Sequence, residues 1–177
     1  MRYLAGMTAF MLMIVPASAQ MSVTTIGATD AAACYNNAND DYSSDTEPCD
    51  TALENPGTTR LDRKKTLVNR GIIHNRNGDL GAALEDFNAA LEIDGSLGEA
   101  YLNRGNSFFL ASRYDEALAD YERALEANIS KPWAAWYNIG LIHDARNDAD
   151  KAREAYKKAL EENPGFTLAQ QKLENHP

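Results

Sequence analysis

One segment of the chain is repeated three times with nearly constant spacing. It begins at Leu67 as LVNRGIIHNRNGDLGAALEDFNAAL, at Tyr101 as YLNRGNSFFLASRYDEALADYERAL and at Trp136 as WYNIGLIHDARNDADKAREAYKKAL. Three columns recur at intervals of 34 and then 35 residues: glycine (Gly71, Gly105, Gly140), alanine (Ala83, Ala117, Ala152) and aromatic (Phe87, Tyr121, Tyr156). A period in this range is typical of a repeat array, in which each unit buries its apolar face by stacking on its neighbours.

Within each unit, apolar residues recur at helical spacing on both sides of a short polar turn. In the first unit, Leu84, Phe87 and Leu91 follow the turn at Asn77-Gly78. This pattern predicts two antiparallel helices per unit. The glycine and alanine columns are expected where the helices cross, because only small side chains let backbones approach, and the aromatic column is expected to fill the space to the next unit.

These columns resemble the tetratricopeptide repeat, whose pattern is a large residue, glycine, aromatic, alanine, aromatic and alanine. The matching residues are Leu67, Gly71, His74, Ala83, Phe87 and Ala90, then Tyr101, Gly105, Phe108, Ala117, Tyr121 and Ala124, then Trp136, Gly140, His143, Ala152, Tyr156 and Ala159. The family's closing proline is present only in the third unit, as Pro164. The resemblance implies an all-α fold, a right-handed superhelical array of antiparallel helix pairs with repeats at 64–97, 98–131 and 133–166.

Two cysteines, Cys34 and Cys49, precede the clear repeats. Counting back through the repeat places them on facing columns of a degenerate helix pair within residues 20–57. We predict a disulfide that staples this pair, which has lost the aromatic column; a reactive thiol is the alternative. At the other end, residues 167–177 are expected to form one short helix that caps the apolar edge of the third unit.

The N-terminus resembles a secretory signal peptide at residues 1–19, cleaved after Ala19. It has a basic residue at Arg2, an apolar run from Leu4 to Val15, and the small residues Ala17 and Ala19 before the cleavage point. An uncleaved membrane anchor is the alternative, but the run is shorter than the roughly 20 residues that span a bilayer. We therefore expect a periplasmic or secreted protein that is not inserted in a membrane after cleavage.

Charge and motif content argue against several classes of function. The formal net charge is −9 and basic residues are scattered among acids, so nucleic acid is not an expected partner. His74 and His143 stand in an aromatic column of the repeat, and His176 lies in the tail, so none has the spacing of a catalytic or metal site. We predict no enzymatic activity, no metal and no cofactor.

The face of each first helix that is not used for packing is predicted to line a partner-binding groove. The groove residues are Val68, Ile72, Leu102, Asn106, Phe109, Tyr137 and Leu141, with Asn69, Asn103 and Asn138 recurring beside them. The asparagines could bond the backbone of a bound peptide or, equally, satisfy groups within the repeat. Because Leu102 and Phe109 lie outside the packing columns, aspartate at both is expected to abolish binding without unfolding the chain.

These features predict a protein that acts by binding rather than by catalysis. The leading hypothesis is a periplasmic interaction scaffold or assembly factor that holds a peptide or protein segment in the groove. A structural alternative is a self-associating protein whose groove is filled by its own tail or by a second copy. The hypotheses of an envelope enzyme and of a small-ligand-binding module are not supported by any group of catalytic or ligand-binding residues in the sequence.

Overall fold

The computed structural model describes residues 26–174, with side chains from residue 29 onward. The predicted signal peptide, residues 20–25 and residues 175–177 lie outside the described residues. Within that range the chain forms nine helices and no strand, and the helices are α1 (Ile26–Asn39), α2 (Glu47–Glu54), α3 (Arg60–Asn77), α4 (Leu80–Ile93), α5 (Gly98–Leu110), α6 (Tyr114–Glu126), α7 (Pro132–Ala145), α8 (Ala149–Glu162) and α9 (Thr167–Glu174).

The helices pack as consecutive pairs. Each of the three repeat units consists of two helices, α3 with α4, α5 with α6 and α7 with α8, and the most extensive contacts of the fold are within these pairs. Successive pairs stack through α4 on α5 and α6 on α7, while the first helices α1, α3, α5 and α7 contact one another in order. The last helix, α9, packs on α8. The predicted all-α array of helix pairs is therefore confirmed.

A close contact inside each unit explains the glycine and aromatic columns. The contacting pairs are Gly71 with Phe87, Gly105 with Tyr121 and Gly140 with Tyr156. A methyl group at Gly105 would lie 2.7 Å from the ring of Tyr121, which is closer than real carbon atoms approach. All three rings are completely buried, as is the alanine column at Ala83, Ala117 and Ala152. The absence of a side chain at the glycine is thus what allows the two helices to meet around the ring.

A disulfide bond holds the first helix pair together. Cys34 of α1 and Cys49 of α2 are joined, with their Cα atoms 4.7 Å apart, and both residues are fully buried beside Ile73 of α3. The bond takes the place that the glycine–aromatic contact holds in the other pairs. Its loop spans a sequence separation of 15 residues. Closing a loop of this size constrains the unfolded chain by about 3 kcal/mol, which helps to compensate for the small core of this pair.

The turn between the two helices of each repeat uses one residue with a left-handed backbone. Gly78 has a φ angle of 83°, and both Ser112 and Asn147, which stand in the same repeat column, have a φ angle of 58°. A left-handed residue directly after a helix stops the helix and turns the chain back. This single residue therefore allows the second helix of each unit to run antiparallel to the first.

Two ion pairs inside the first two units were not among the predicted packing residues. Arg70 Nε and Nη2 donate to the two carboxylate oxygens of Asp86 at 2.9 and 2.7 Å, and Arg104 makes the same bidentate contact with Asp120 at 2.7 and 2.8 Å. Both aspartates are almost completely buried. The pairs also recur at an interval of 34 residues, which is the sequence signal that could have revealed them. They tie the two helices of a unit together across its core.

Candidate functional site

A cavity of about 620 Å³ opens among the first helices of the first three pairs, α1, α3 and α5. Its walls are formed by Ala31, Ala32 and Tyr35 of α1, by Asp62, Lys65, Thr66, Val68 and Asn69 of α3, and by Leu97 and Glu99 at the start of α5. Residues of one side of three neighbouring helices therefore converge on one space. This space lies at the N-terminal end of the predicted groove.

The cavity exists because α1 carries small residues where the true repeats carry larger ones. Ala31 and Ala32 precede Cys34 by three and two residues, and Val68 and Asn69 precede Gly71 by the same intervals. The two alanines leave space that a valine and an asparagine side chain would occupy. The degenerate helix pair thus contributes one wall of the cavity, although none of the predicted groove residues belongs to this helix pair.

Val68, a predicted groove residue, lines the cavity and is also part of the core. Its side chain is only 7% exposed, and it belongs to a core cluster with Phe87 and Ala100. The physical reason is that α3 is packed between α1 and α5, so this position is covered from both sides. Val68 therefore lines the cavity with a small exposed part of its side chain.

The other apolar groove residues do not form a continuous open stripe. Ile72 is half-buried and packs against the cores of the first two pairs, and Leu102 and Phe109 pack against the core of the central unit. An aspartate at Leu102 or Phe109 would consequently remove core packing as well as surface. Leu141 is half-buried on α7 and belongs to none of the core clusters of the described residues.

Tyr137 is covered by the C-terminal segment. Its ring centroid lies 5.2 Å from that of Phe166, in an edge-on arrangement, and 5.6 Å from that of Tyr156. Lys172 of α9 also reaches back, with its ammonium 3.0 Å from Asp144 of α7. The described part of the tail therefore caps the third unit, and it does not line the cavity.

Most of the recurring asparagines are used within the array. Asn106 Oδ1 accepts hydrogen bonds from the Tyr121 hydroxyl at 3.0 Å and from Asn138 Nδ2 at 2.8 Å, so it links two adjacent units. Asn103 Nδ2 donates to the Glu99 carbonyl one turn earlier at 2.8 Å. Each of these three amides therefore has at least one group bonded within the repeat array. Asn69 differs, because it lines the cavity and makes no side-chain hydrogen bond with the described residues.

The buried tyrosines act as neutral hydrogen-bond donors. Burial raises the pKa of Tyr121 and of Tyr156 well above its usual value. The Tyr156 hydroxyl donates to Asp144 Oδ2 at 2.6 Å. Because both hydroxyls keep their protons at physiological pH, their role is to connect the helices of a unit.

The described residues show no grouping suited to metal chemistry or to membrane insertion. No set of three or more histidine, cysteine, aspartate or glutamate side chains within residues 29–174 is arranged to hold a metal ion. None of the helices in the described part of the chain combines the length and the apolar composition that a bilayer span requires. The arrangement that remains is a cavity with apolar walls and a polar rim.

A stack of antiparallel helix pairs with a cavity between its first helices defines a helical-repeat protein. Two tetratricopeptide repeat models match it, one over residues 62–130 and the other over residues 102–165, so that together they span all three repeat units. The chain belongs to the tetratricopeptide repeat family. Proteins of this family are typically non-enzymatic scaffolds that bind proteins or peptides on the extended surface of the array.

Curated relatives share the repeat region. The photosystem I assembly protein Ycf3 of Prochlorococcus marinus is 30% identical over 115 residues, which cover 55% of this chain and 66% of that protein. Tetratricopeptide repeat protein 13 of Homo sapiens is 29% identical over 116 residues, which cover 66% of this chain and 13% of that protein. The chain spans a similarly small share, 12%, of protein bimA of Emericella nidulans.

Solved structures share the fold. MamA superposes with a TM-score of 0.61 at 27% identity, covering 72% of this chain and 71% of that one. A tetratricopeptide repeat protein from Parabacteroides merdae superposes with a TM-score of 0.65 at 23% identity, covering 84% of this chain and 57% of that one. The likeness to the second protein extends beyond the three clear repeats.

Proposed function

We propose that this chain is an exported interaction scaffold that binds an extended segment of a partner protein or peptide in the cavity among α1, α3 and α5. The observation that carries the proposal is the cavity itself. Its volume of about 620 Å³ lies within the range of roughly 300–1,000 Å³ in which ligand sites are found. Its alanine, valine and leucine walls suit apolar side chains, and its rim is polar.

An extended peptide suits this site better than a helix or a flat protein surface. Successive side chains of an extended segment point to opposite sides, so alternate side chains can enter the cavity while the backbone stays at the rim. The amide of Asn69 stands at that rim and can both donate to and accept from a peptide backbone. The small contact area favours weak to moderate affinity, since association and ordering costs offset most of the apolar burial.

Filling the cavity tests the binding site. Ala31→Trp is expected to weaken binding of a peptide selected from a random display library by at least about tenfold, because the indole occupies the space needed by the ligand's side chain. Ala119→Trp is the matched control, because Ala119 is exposed on α6 and does not line the cavity. Isothermal titration calorimetry of both variants gives the comparison, and circular dichroism verifies that each is folded. Equal affinity for wild type and Ala31→Trp would place recognition on another surface.

Export from the cytoplasm is supported by two independent features. The N-terminus has the pattern of a cleaved leader, and the Cys34–Cys49 disulfide is fully buried, as structural disulfides of exported proteins are. We expect the protein isolated from the periplasm to contain no free thiol. Alkylation of the unfolded, non-reduced protein followed by mass spectrometry should show no added mass. Two alkylated cysteines in freshly isolated protein would contradict this expectation.

A further inference from the structure

The rim of the cavity carries three charged side chains: Asp62, Lys65 and Glu99. Asp62 belongs to the start of α3, where its carboxylate accepts a hydrogen bond from the Thr59 hydroxyl at 2.7 Å and its backbone N–H is capped by the same residue. Lys65 and Glu99 take part in none of the ion pairs among the described residues. Both are exposed.

Lys65 and Glu99 occupy the same column of consecutive repeats. Each precedes its column glycine by six residues, Lys65 before Gly71 and Glu99 before Gly105. They therefore project from equivalent positions of α3 and α5, which are neighbouring helices linked by hydrogen bonds from Asn75 and Ser107. Because both residues line the cavity, the two opposite charges stand on two sides of one apolar space, Lys65 on α3 and Glu99 at the start of α5.

We propose that the cavity selects extended segments in which one acidic and one basic residue flank three apolar residues, with the acid opposite Lys65 and the base opposite Glu99. The proposal rests on the peptide-binding function proposed above. Side chains four positions apart lie on the same side of an extended chain, about 13 Å apart along it, so both charges can face the rim, where the flexible side chains of Lys65 and Glu99 can reach them. The middle apolar side chain points the same way and enters the alanine-walled space, while its two neighbours point away from it.

Charge pairing at this rim contributes to the choice of partner more than to affinity. Exposed ion pairs each stabilise a complex weakly, but a like charge at the same place repels. With Asp62 included, the rim carries one positive and two negative charges. A doubly acidic segment is therefore the least favoured class for the wild-type protein.

A peptide array tests the proposal directly. Acetylated and amidated peptides of the form Gly-Ser-X-Φ-Φ-Φ-Z-Ser-Gly carry Glu, Lys or Gln at X and Z, and every combination of Ala, Leu, Val, Phe and Tyr at the three central positions Φ. Both orders of Glu and Lys are present because a segment can cross the cavity in either direction. Binding of the purified chain is measured by fluorescence, and affinities of the best peptides of each charge class are measured by calorimetry.

Single charge reversals are expected to change the preferred class in a defined way. Wild type should prefer one Glu and one Lys over two Glu or two Lys by about three- to tenfold. Lys65→Glu should shift the preference to two Lys, and Glu99→Lys should shift it to two Glu. These preferences should diminish in 1 M salt, where screening acts over about 3 Å.

Matched controls reverse charges that do not line the cavity. Lys157→Glu on α8 and Glu122→Lys on α6 are exposed and should leave the wild-type preference unchanged. Binding that ignores the charge class, or a preference that Lys65→Glu and Glu99→Lys leave unchanged, would overturn the proposed selectivity while leaving peptide binding in place. Failure of every peptide in the array to bind wild type would instead overturn the proposed function itself.

Discussion

Replacing Gly105 by leucine is expected to lower the free energy of unfolding by about 3 kcal/mol or more. A Cβ atom there would already lie 2.7 Å from the ring of Tyr121, and the ring cannot move aside easily because it is fully buried and its hydroxyl is bonded to Asn106. A leucine must therefore push α5 and α6 apart. Since the central unit stacks on both neighbours, the loss should extend to the third unit. Urea and thermal unfolding followed by circular dichroism measure the effect.

Gly81→Leu provides the matched control. Gly81 also lies within a helix, in the first turn of α4, but apart from its chain neighbours and its own helix backbone no atom lies within 4 Å of the position that its Cβ would take. Because glycine inside a helix costs roughly 0.5–1 kcal/mol relative to alanine, this variant should be as stable as wild type or slightly more stable. A wild-type melting temperature for Gly105→Leu would show that the glycine column does not mark the helix crossing.

Asp120→Ala is expected to destabilise the chain by about 3 kcal/mol. The side chain of Asp120 is 5% exposed and that of Arg104 is 17% exposed, so the substitution leaves a guanidinium largely removed from water without its carboxylate. The remaining hydrogen bond from Arg104 to Asn88 is to a neutral group and does not balance the charge. Chemical denaturation of the single variant measures this cost.

The third unit supplies the control for this prediction. At the two columns of Arg104 and Asp120 it carries Ile139 and Ala155, and both are buried in the apolar core. Arg104→Ile combined with Asp120→Ala copies that solution, so the double variant should be within about 1 kcal/mol of wild type, since a packed apolar pair can replace a buried ion pair. If the double variant were as unstable as Asp120→Ala, the ion pair would stabilise the fold by more than the neutralisation of the buried Arg104 charge.

The repeat columns were predictable because they follow from spacing alone. The columns of Gly105 and Ala117 hold a small residue in every repeat unit. A small residue that recurs with the repeat period indicates a helix crossing, and this can be recognised without knowing its structural neighbours. The disulfide position was predictable in the same way, since counting back along the period places Cys34 and Cys49 on facing helices. The Arg104–Asp120 pair shares the period, but a charged column is usually a solvated face, so spacing alone did not reveal its burial.

Val68 and Asn69 were predicted as groove residues and line the cavity, but the wall formed by α1 and the burial of each lining residue were not predictable from the repeat pattern. Val68 and Leu102 stand in the same column, yet Val68 is buried while Leu102 is only half-buried, because α1 packs on α3 more extensively than α7 packs on α5. Ala31 and Ala32 have no repeat motif around them, and only the packing of α1 on α3 brings them to the site. The sequence by itself determined the period, the helix pairs and the family, because these rest on local spacing. The tertiary structure decided which helix faces remain accessible to a ligand, because the burial of a side chain depends on residues that are distant in the chain.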